Sequence, residues 1–268
     1  MRPVPATLAI GSAILALMIG VSVLAPWISP YAATEQHIQK RLERPSARYL
    51  LGTDQYGRDL LSRTLMGGRT ALLLGVGAVL LGLGLGVPVG LGAGYFGGRA
   101  DEAIMRVVDA MLSFPSLLLA LLIITALGAS TTHALVAIGI ANVPGIARIV
   151  RSATLAVREA EFVLAARARG EGHAYLMFGE IFPNVLPPIV VETTIRVGFA
   201  MLAAASLSFL GLGVQPPQAD WGLMIREARQ YVFLSPWPLV TPGVALGVTI
   251  IGFNLFGDGL RDHLGGSA

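Results

Sequence analysis

The chain has 268 residues, of which 54% are hydrophobic and only 13% are charged, and its formal net charge is +3. Soluble domains carry about 25% charged residues, so this composition excludes a protein whose surface is mostly covered by water. The scattered basic residues do not indicate nucleic acid binding, and the lack of cysteine excludes disulfides and thiolate metal sites. We therefore expect an all-α, polytopic membrane protein.

Six apolar stretches are predicted to cross the bilayer, because a spanning helix needs ~20 mainly apolar residues to cover ~30 Å of hydrocarbon. In chain order they are Leu8–Ile28, Ala71–Tyr95, Ile104–Leu127, Ala134–Val150, Val185–Leu212 and Leu239–Gly257. The first is longer than the ~7–15-residue apolar core of a signal peptide. We therefore expect an uncleaved span with Trp27 at the interface. In the third span, Phe114-Pro115 predicts a kink.

The second predicted span carries a row of glycines, Gly82, Gly86, Gly90 and Gly94, which a spacing of four places roughly on one helix face. A face without side chains lets another helix approach closely. We expect plain close packing here, and a helix that slides during gating is the functional alternative.

Three polar segments separate the spans, at residues 29–69, 151–183 and 213–238. Six spans would place both termini and segment 151–183 on one side of the membrane, and the other two segments on the opposite side. Lys and Arg residues near the spans are divided evenly between the two sides. The positive-inside rule therefore assigns no orientation.

No pattern in the sequence predicts catalysis. Lys40 is the only lysine, and it lacks the neighbouring glycines of a phosphate-binding loop. The four histidines lie far apart without metal-ligand spacing; they are His37, His133, His173 and His263. We therefore expect no catalytic residue, no metal site and no cofactor in this chain.

Segment 151–183 is too polar to span a membrane and too apolar for a free loop. Two short helical stretches, Arg158–Arg169 and Ala174–Ile181, flank Gly170 and Gly172, where glycine permits the turn between them. Small residues at 164–168 with charges around them favour docking into a groove on a partner protein. The alternative is an amphipathic helix that lies on the lipid headgroups.

Several blocks of residues resemble the permeases of ABC importers. Ala165-Ala166, Gly170, Ile181 and Pro183 are similar to the EAA loop of that family, although Leu164 stands where the name-giving glutamate is usual. Other blocks resemble the dipeptide, oligopeptide and nickel permeases, most of all the second of the two homologous permeases in such systems. They are LGTDQYGRD at 51–59 with Ser62-Arg63, GYFGG at 94–98, SLSFLGLGVQPP at 206–217 and NLFGDGLRD at 254–262.

The resemblance implies a type I ABC importer transmembrane fold in a bacterial plasma (inner) membrane. It implies that both termini and segment 151–183 are cytoplasmic, and that 29–69 and 213–238 face outside. Residues 1–69 would form a first span and periplasmic segment, and residues 70–268 the core permease domain. The implied partners are a homologous permease, two ATP-binding subunits that hold ATP and Mg, an extracytoplasmic solute-binding protein and the lipid bilayer.

In this family the EAA loop forms the coupling helix, which sits in a cleft of the ATP-binding subunit. The resemblance therefore implies a set of ATPase-coupling residues: Ala165, Ala166, Arg167, Gly170, Glu171, His173, Ile181 and Pro183. Because Leu164 replaces the usual glutamate, we expect one contact to the ATPase to differ.

The fifth span contains two charged residues, Glu192 and Arg196, whose spacing of four allows them to pair on one helix face. A charge within a span costs ~2.5–3.5 kcal/mol on insertion scales, and such residues usually mark a pathway. We expect both to line a solute pathway; the alternative is that they lie near the cytoplasmic end and reach water. Ser206 and Ser208 are further candidates, unless their hydroxyls bond to their own helix.

The sequence leaves the solute open. Nickel is best held by ligands such as histidine, and no histidine lies within a predicted span, which favours di- or oligopeptides. The tail at 261–264 and the segment at 221–231 are similar to the nickel branch, so nickel or a nickel chelate stays an alternative. An alternative of another class is a secondary transporter that uses Glu192 and Arg196 as a proton or ion relay.

Overall fold

The computed structural model describes residues 5–265, with side chains for 5–263. Ten α-helices form this part of the chain, and a π-helical segment, Leu176–Ile181, joins the seventh to the eighth. The helices are α1 (Ala6–Ile28), α2 (Leu60–Phe96), α3 (Gly98–Leu112), α4 (Ser116–Leu127), α5 (Thr131–Val157), α6 (Glu161–Ala168), α7 (His173–Tyr175), α8 (Phe182–Phe209), α9 (Trp221–Ala228) and α10 (Trp237–Gly265). No strand occurs between residues 5 and 265, as an all-α fold requires.

Five helices are long and apolar enough to cross a membrane, and there are six spans if the bent pair, α3 with α4, counts as one. The prediction of about six spans agrees with this finding, but several predicted boundaries differ. α2 begins at Leu60 because Asp59 caps it, accepting a hydrogen bond from the Ser62 N–H at 2.8 Å. The division expected between residues 69 and 70 thus falls inside a helix.

The fifth span also differs from the prediction. The stretch Ala174–Ile181 is not a separate short helix, because α7 runs through the π-helical segment into α8 as one continuous helix, His173–Phe209. The helix ends before the predicted Leu212, since the chain turns at Gly211 with a φ of +87°. The segment that resembles the coupling loop is therefore continuous with the fifth span.

The third span is not the single helix Ile104–Leu127. It breaks at Phe114-Pro115, where α3 and α4 meet at 88°. A proline disfavours helical geometry at the residue before it, so the kink has its expected position but is a complete break. α4 has 12 residues, about 18 Å of helix, and so covers only part of the membrane thickness.

α2 and α5 run parallel to each other and form the centre of the bundle. The glycine row of α2 faces α5: a Cβ atom added at Gly90 would lie 2.5 Å from the Ala147 carbonyl oxygen, and one at Gly94 would lie 2.7 Å from Thr154 Cβ. The predicted close packing is confirmed, and α5 is the helix that packs against the glycine row.

At the end of the bundle opposite α6, an ion cluster joins the segment after α1 to α9. Arg58 contacts Asp54 at 2.5 Å and Glu227 at 2.6 Å, and Arg63 is fully buried beside them. Asp220 caps α9, accepting from the Leu223 N–H at 2.9 Å, and burial raises the pKa of its carboxyl above the ordinary value. The cluster fixes the N-terminal segment to the loop between α8 and α10.

Candidate functional site

A cleft of about 470 Å³ opens at the elbow between α3 and α4, where it is bounded by α5 and α8. Its lining includes Phe114, Ser116, Asn142, Glu192, Arg196 and Phe199. Clefts that bind small molecules have volumes of ~300–1,000 Å³. The broken span creates this space, because α4 begins only at Ser116 and leaves the adjoining faces of α5 and α8 uncovered.

Glu192 and Arg196 form an ion pair inside this cleft. Arg196 Nη2 lies 3.0 Å from Glu192 Oε1, and the two side chains are 21% and 30% exposed. Both residues occupy the middle third of α8. The pair therefore lies along the central part of this helix, with access to the cleft.

Gly145 of α5 leaves the space that the Arg196 guanidinium occupies. A Cβ atom added at Gly145 would lie 2.7 Å from both Nη1 and Nη2 of Arg196, so any other residue would displace the charged group. The sequence offered no signal for this position, because Gly145 is one of 33 glycines and is not part of a spaced row.

The two serines of the fifth span lie outside the cleft lining. The Ser206 hydroxyl donates to the Leu202 carbonyl at 2.8 Å. This is the bond to its own helix that the sequence offered as the alternative to lining a pathway. Ser208 is fully buried, and its hydroxyl accepts from the Val214 N–H at 3.1 Å. The loop after α8 encloses the Ser208 side chain, so this hydroxyl does not face the cleft.

The predicted coupling residues divide into a buried and an exposed group. Ala166 and Ile181 are fully buried and hold α6 against the π-helical segment. The others are exposed or partly exposed: Ala165, Arg167, Gly170, Glu171, His173 and Pro183. Gly170 has a φ of +85°, the left-handed turn that glycine was expected to supply between α6 and α7. Only the second group has surface that a partner protein can touch.

Polar contacts attach this segment to the end of α2. His173 Nδ1 and Tyr95 Oη are hydrogen-bonded at 2.7 Å, and the Arg158 guanidinium donates to the Gly94 carbonyl at 3.0 Å. Arg167 lies 6.0 Å from the centre of the Tyr95 ring. The block GYFGG thus holds the exposed segment in place. Spacing in the sequence did not reveal that these two blocks contact each other.

Two family profiles match the chain. One, described as "Binding-protein-dependent transport system inner membrane component", matches residues 86–267. The other, described as "N-terminal TM domain of oligopeptide transport permease C", matches residues 8–45. Together they cover the first span and most of the remaining bundle, including the cleft and the exposed segment.

Relatives and solved structures agree with these matches. The chain is 43% identical to the dipeptide transport system permease protein DppC of Alkalihalophilus pseudofirmus, over 95% of this chain and 84% of the relative. It is 40% identical to the nickel transport system permease protein NikC of Escherichia coli, over 94% and 91%. It is also similar to the inward-facing MetNI methionine ABC transporter, with a TM-score of 0.61 and 21% identity over 74% of this chain and 94% of the other.

The likeness to the methionine transporter shows the fold alone, which is that of a type I ABC importer permease. The profile over residues 86–267 and the relatives at 40% identity or more go further. Multiple apolar helices and these matches make the chain a multi-pass inner-membrane protein. It belongs to the binding-protein-dependent transport system inner membrane components, the permease subunits of ATP-driven ABC importers.

Proposed function

We propose that this chain pairs with a homologous permease to form the pathway by which di- or oligopeptides enter the cell. The observation that supports the proposal is the cleft at the α3–α4 elbow, which Glu192 and Arg196 line from the middle third of α8. Charged residues at such positions usually line a solute or ion path. Peptide permeases stand among the relatives with the highest identity reported above.

We assign the exposed residues of segment 151–183 to the contact with an ATP-binding subunit, which makes this segment and both termini cytoplasmic. Ala165 and Gly170 present little side chain, so a partner surface can approach the backbone closely. Movement of α6 would reach α2 through the His173–Tyr95 hydrogen bond. From α2 it would pass to α5 across the glycine row, and so to the wall of the cleft.

The lining of the cleft favours a peptide over a nickel ion as solute. Nickel sites prefer imidazole and similar nitrogen ligands, and no histidine occurs among the described residues that line this cleft. His133 lies apart from it at the start of α5, where its Nδ1 contacts the Gly128 carbonyl oxygen at 2.9 Å. A zwitterionic peptide, by contrast, matches a cleft that carries one positive and one negative group.

The test is reconstitution of the complex that co-purifies with this chain. The complex and its binding protein are placed in proteoliposomes loaded with ATP, and uptake of radiolabelled glycyl-leucine and of Ni²⁺ is measured. We expect a second permease and ATP-binding subunits in the purified complex, and glycyl-leucine uptake that depends on ATP. Uptake of Ni²⁺ with no uptake of peptides of two to five residues would contradict the peptide assignment and identify nickel as the solute.

A further inference from the structure

We infer that Glu192 and Arg196 recognise the two charged ends of the peptide, with Arg196 binding the carboxylate and Glu192 the ammonium group. In the empty cleft the two side chains neutralise each other at 3.0 Å. When solute enters, each exchanges its partner for the opposite charge of the peptide. This inference rests on the proposed function and names the chemical group that the same cleft selects.

The position of the pair argues for an exchangeable contact. Replacing a buried ion pair by apolar residues is often neutral or stabilising, so the pair does not owe its place to stability. An unpaired charge along the central part of α8 would be unfavourable, and self-pairing avoids it when the cleft is empty. A zwitterion is the solute class that keeps both charges neutralised throughout the exchange.

Arg196 has binding capacity that Glu192 does not use. The contact to Glu192 involves Nη2, whereas the buried Nε has no hydrogen-bond partner among the residues that the structure describes. A guanidinium group can hold a carboxylate through two parallel hydrogen bonds. Once Glu192 moves away from Nη2, Nε and Nη2 together can form that fork with a carboxylate in the cleft.

The geometry of α8 suits a short peptide. Side chains four residues apart on a helix have Cβ atoms ~5–6 Å apart, so Glu192 and Arg196 can separate enough to flank both ends of a dipeptide. The walls of the cleft beyond the pair are formed by Phe114 and Phe199, which make apolar contacts without selecting one side chain. The cleft would therefore recognise the peptide ends and tolerate its sequence.

The test measures binding to the purified complex in the absence of the binding protein. The two probes are glycyl-leucine and glycyl-leucinamide, which lacks the carboxylate. We expect the unmodified complex to bind the free peptide at least about tenfold more tightly, since hydrogen bonds to charged groups are the strong ones. We expect Arg196→Gln to abolish that preference, and Glu192→Gln to abolish the preference for a free over an N-acetylated dipeptide.

Gly145 provides a test that leaves both charges in place. Gly145→Ala should displace the guanidinium and remove the preference for the free carboxylate, although Arg196 is retained. Gly20→Ala in α1 is the matched control, because a Cβ there would meet nothing within 4 Å. Co-purification of the partner subunits establishes that each variant is assembled.

Two results would overturn the inference. One is equal binding, or no binding, of the free and amidated peptides by the unmodified complex; the other is an unchanged preference in Arg196→Gln. Failure of the proposed function has a different signature, because it shows as the absence of glycyl-leucine uptake by proteoliposomes that contain the binding protein. The two failures are therefore measured independently.

Discussion

Ser208 closes the loop that follows α8, and its buried hydroxyl is the acceptor for the Val214 N–H. Ser208→Ala would leave that N–H without a partner, and a buried unsatisfied group costs ~1–3 kcal/mol. We expect the thermal midpoint of the purified protein to fall while its affinity for solute is unchanged. Ser206→Ala is the control, with an expected change within ~0.5 kcal/mol because its side chain is partly exposed and bonds only to its own helix.

The Tyr95 hydroxyl is the basis of a second prediction. Tyr95→Phe removes the hydroxyl that is hydrogen-bonded to His173, at a cost of ~0.5–1.5 kcal/mol. We expect solute-stimulated ATP hydrolysis by the complex to fall relative to hydrolysis without solute, because the exposed segment is less firmly attached to α2. Tyr56→Phe, at an exposed position between α1 and α2, should leave the ratio unchanged. Equal ratios in all three proteins would contradict this role.

The sequence predicted the ion pair of Glu192 with Arg196, but not the close approach of Gly145 to the Arg196 guanidinium. Glu192 and Arg196 stand out because charges are rare in apolar segments, and a spacing of four fixes their pairing. Gly145 becomes meaningful only when α8 is placed against α5, which is a long-range contact that no local pattern encodes. The burial of Ser208 escaped prediction for the same reason, since the loop after α8 folds back over it.

At the scale of elements, the glycine row of α2 and its surroundings give a matched pair of variants. Gly90→Ala should destabilise the protein by ~1–3 kcal/mol, because its Cβ would overlap the Ala147 carbonyl group. The Cβ atom of Gly92→Ala, two residues further on, would point into open space. It should be neutral or stabilising by up to ~1 kcal/mol, since alanine is the better helix former. Thermal unfolding in detergent measures both, and equal destabilisation would argue against the α2–α5 contact.

The apolar spans were predictable in approximate number and only partly in extent. Apolar length identifies a span, but it does not show where a helix continues into polar surroundings, as α2 does between Leu60 and Ala71. Pro115 predicted a distortion, yet proline alone does not determine whether a helix bends or breaks. The break requires room for α3 to turn away, and α3 is held in place by ion pairs to α5, Asp101 with Arg151 and Asp109 with Arg148.

At the scale of the whole molecule, the ion cluster around Arg58 holds the N-terminal segment against α9. Glu227→Ala would leave Arg58 and Arg63 buried without this counter-ion, and breaking a buried pair costs ~3–5 kcal/mol. We expect a lower thermal midpoint and faster proteolysis between residues 29 and 59. Glu159→Ala, which removes a 75%-exposed partner of Arg158, should change neither measurement. Unchanged proteolysis in Glu227→Ala would show that other contacts hold the segment.

The continuous helix His173–Phe209 carries the exposed residue His173 at one end and the ion pair at its centre. It is 37 residues long, or about 55 Å, so a single helix joins the surface that we assign to the ATP-binding subunit with the cleft. Under the proposed function, a rotation of this helix would move Arg196 relative to Gly145, which belongs to α5. The guanidinium would then leave Gly145, and the movement that opens the pathway would also weaken the hold on the solute.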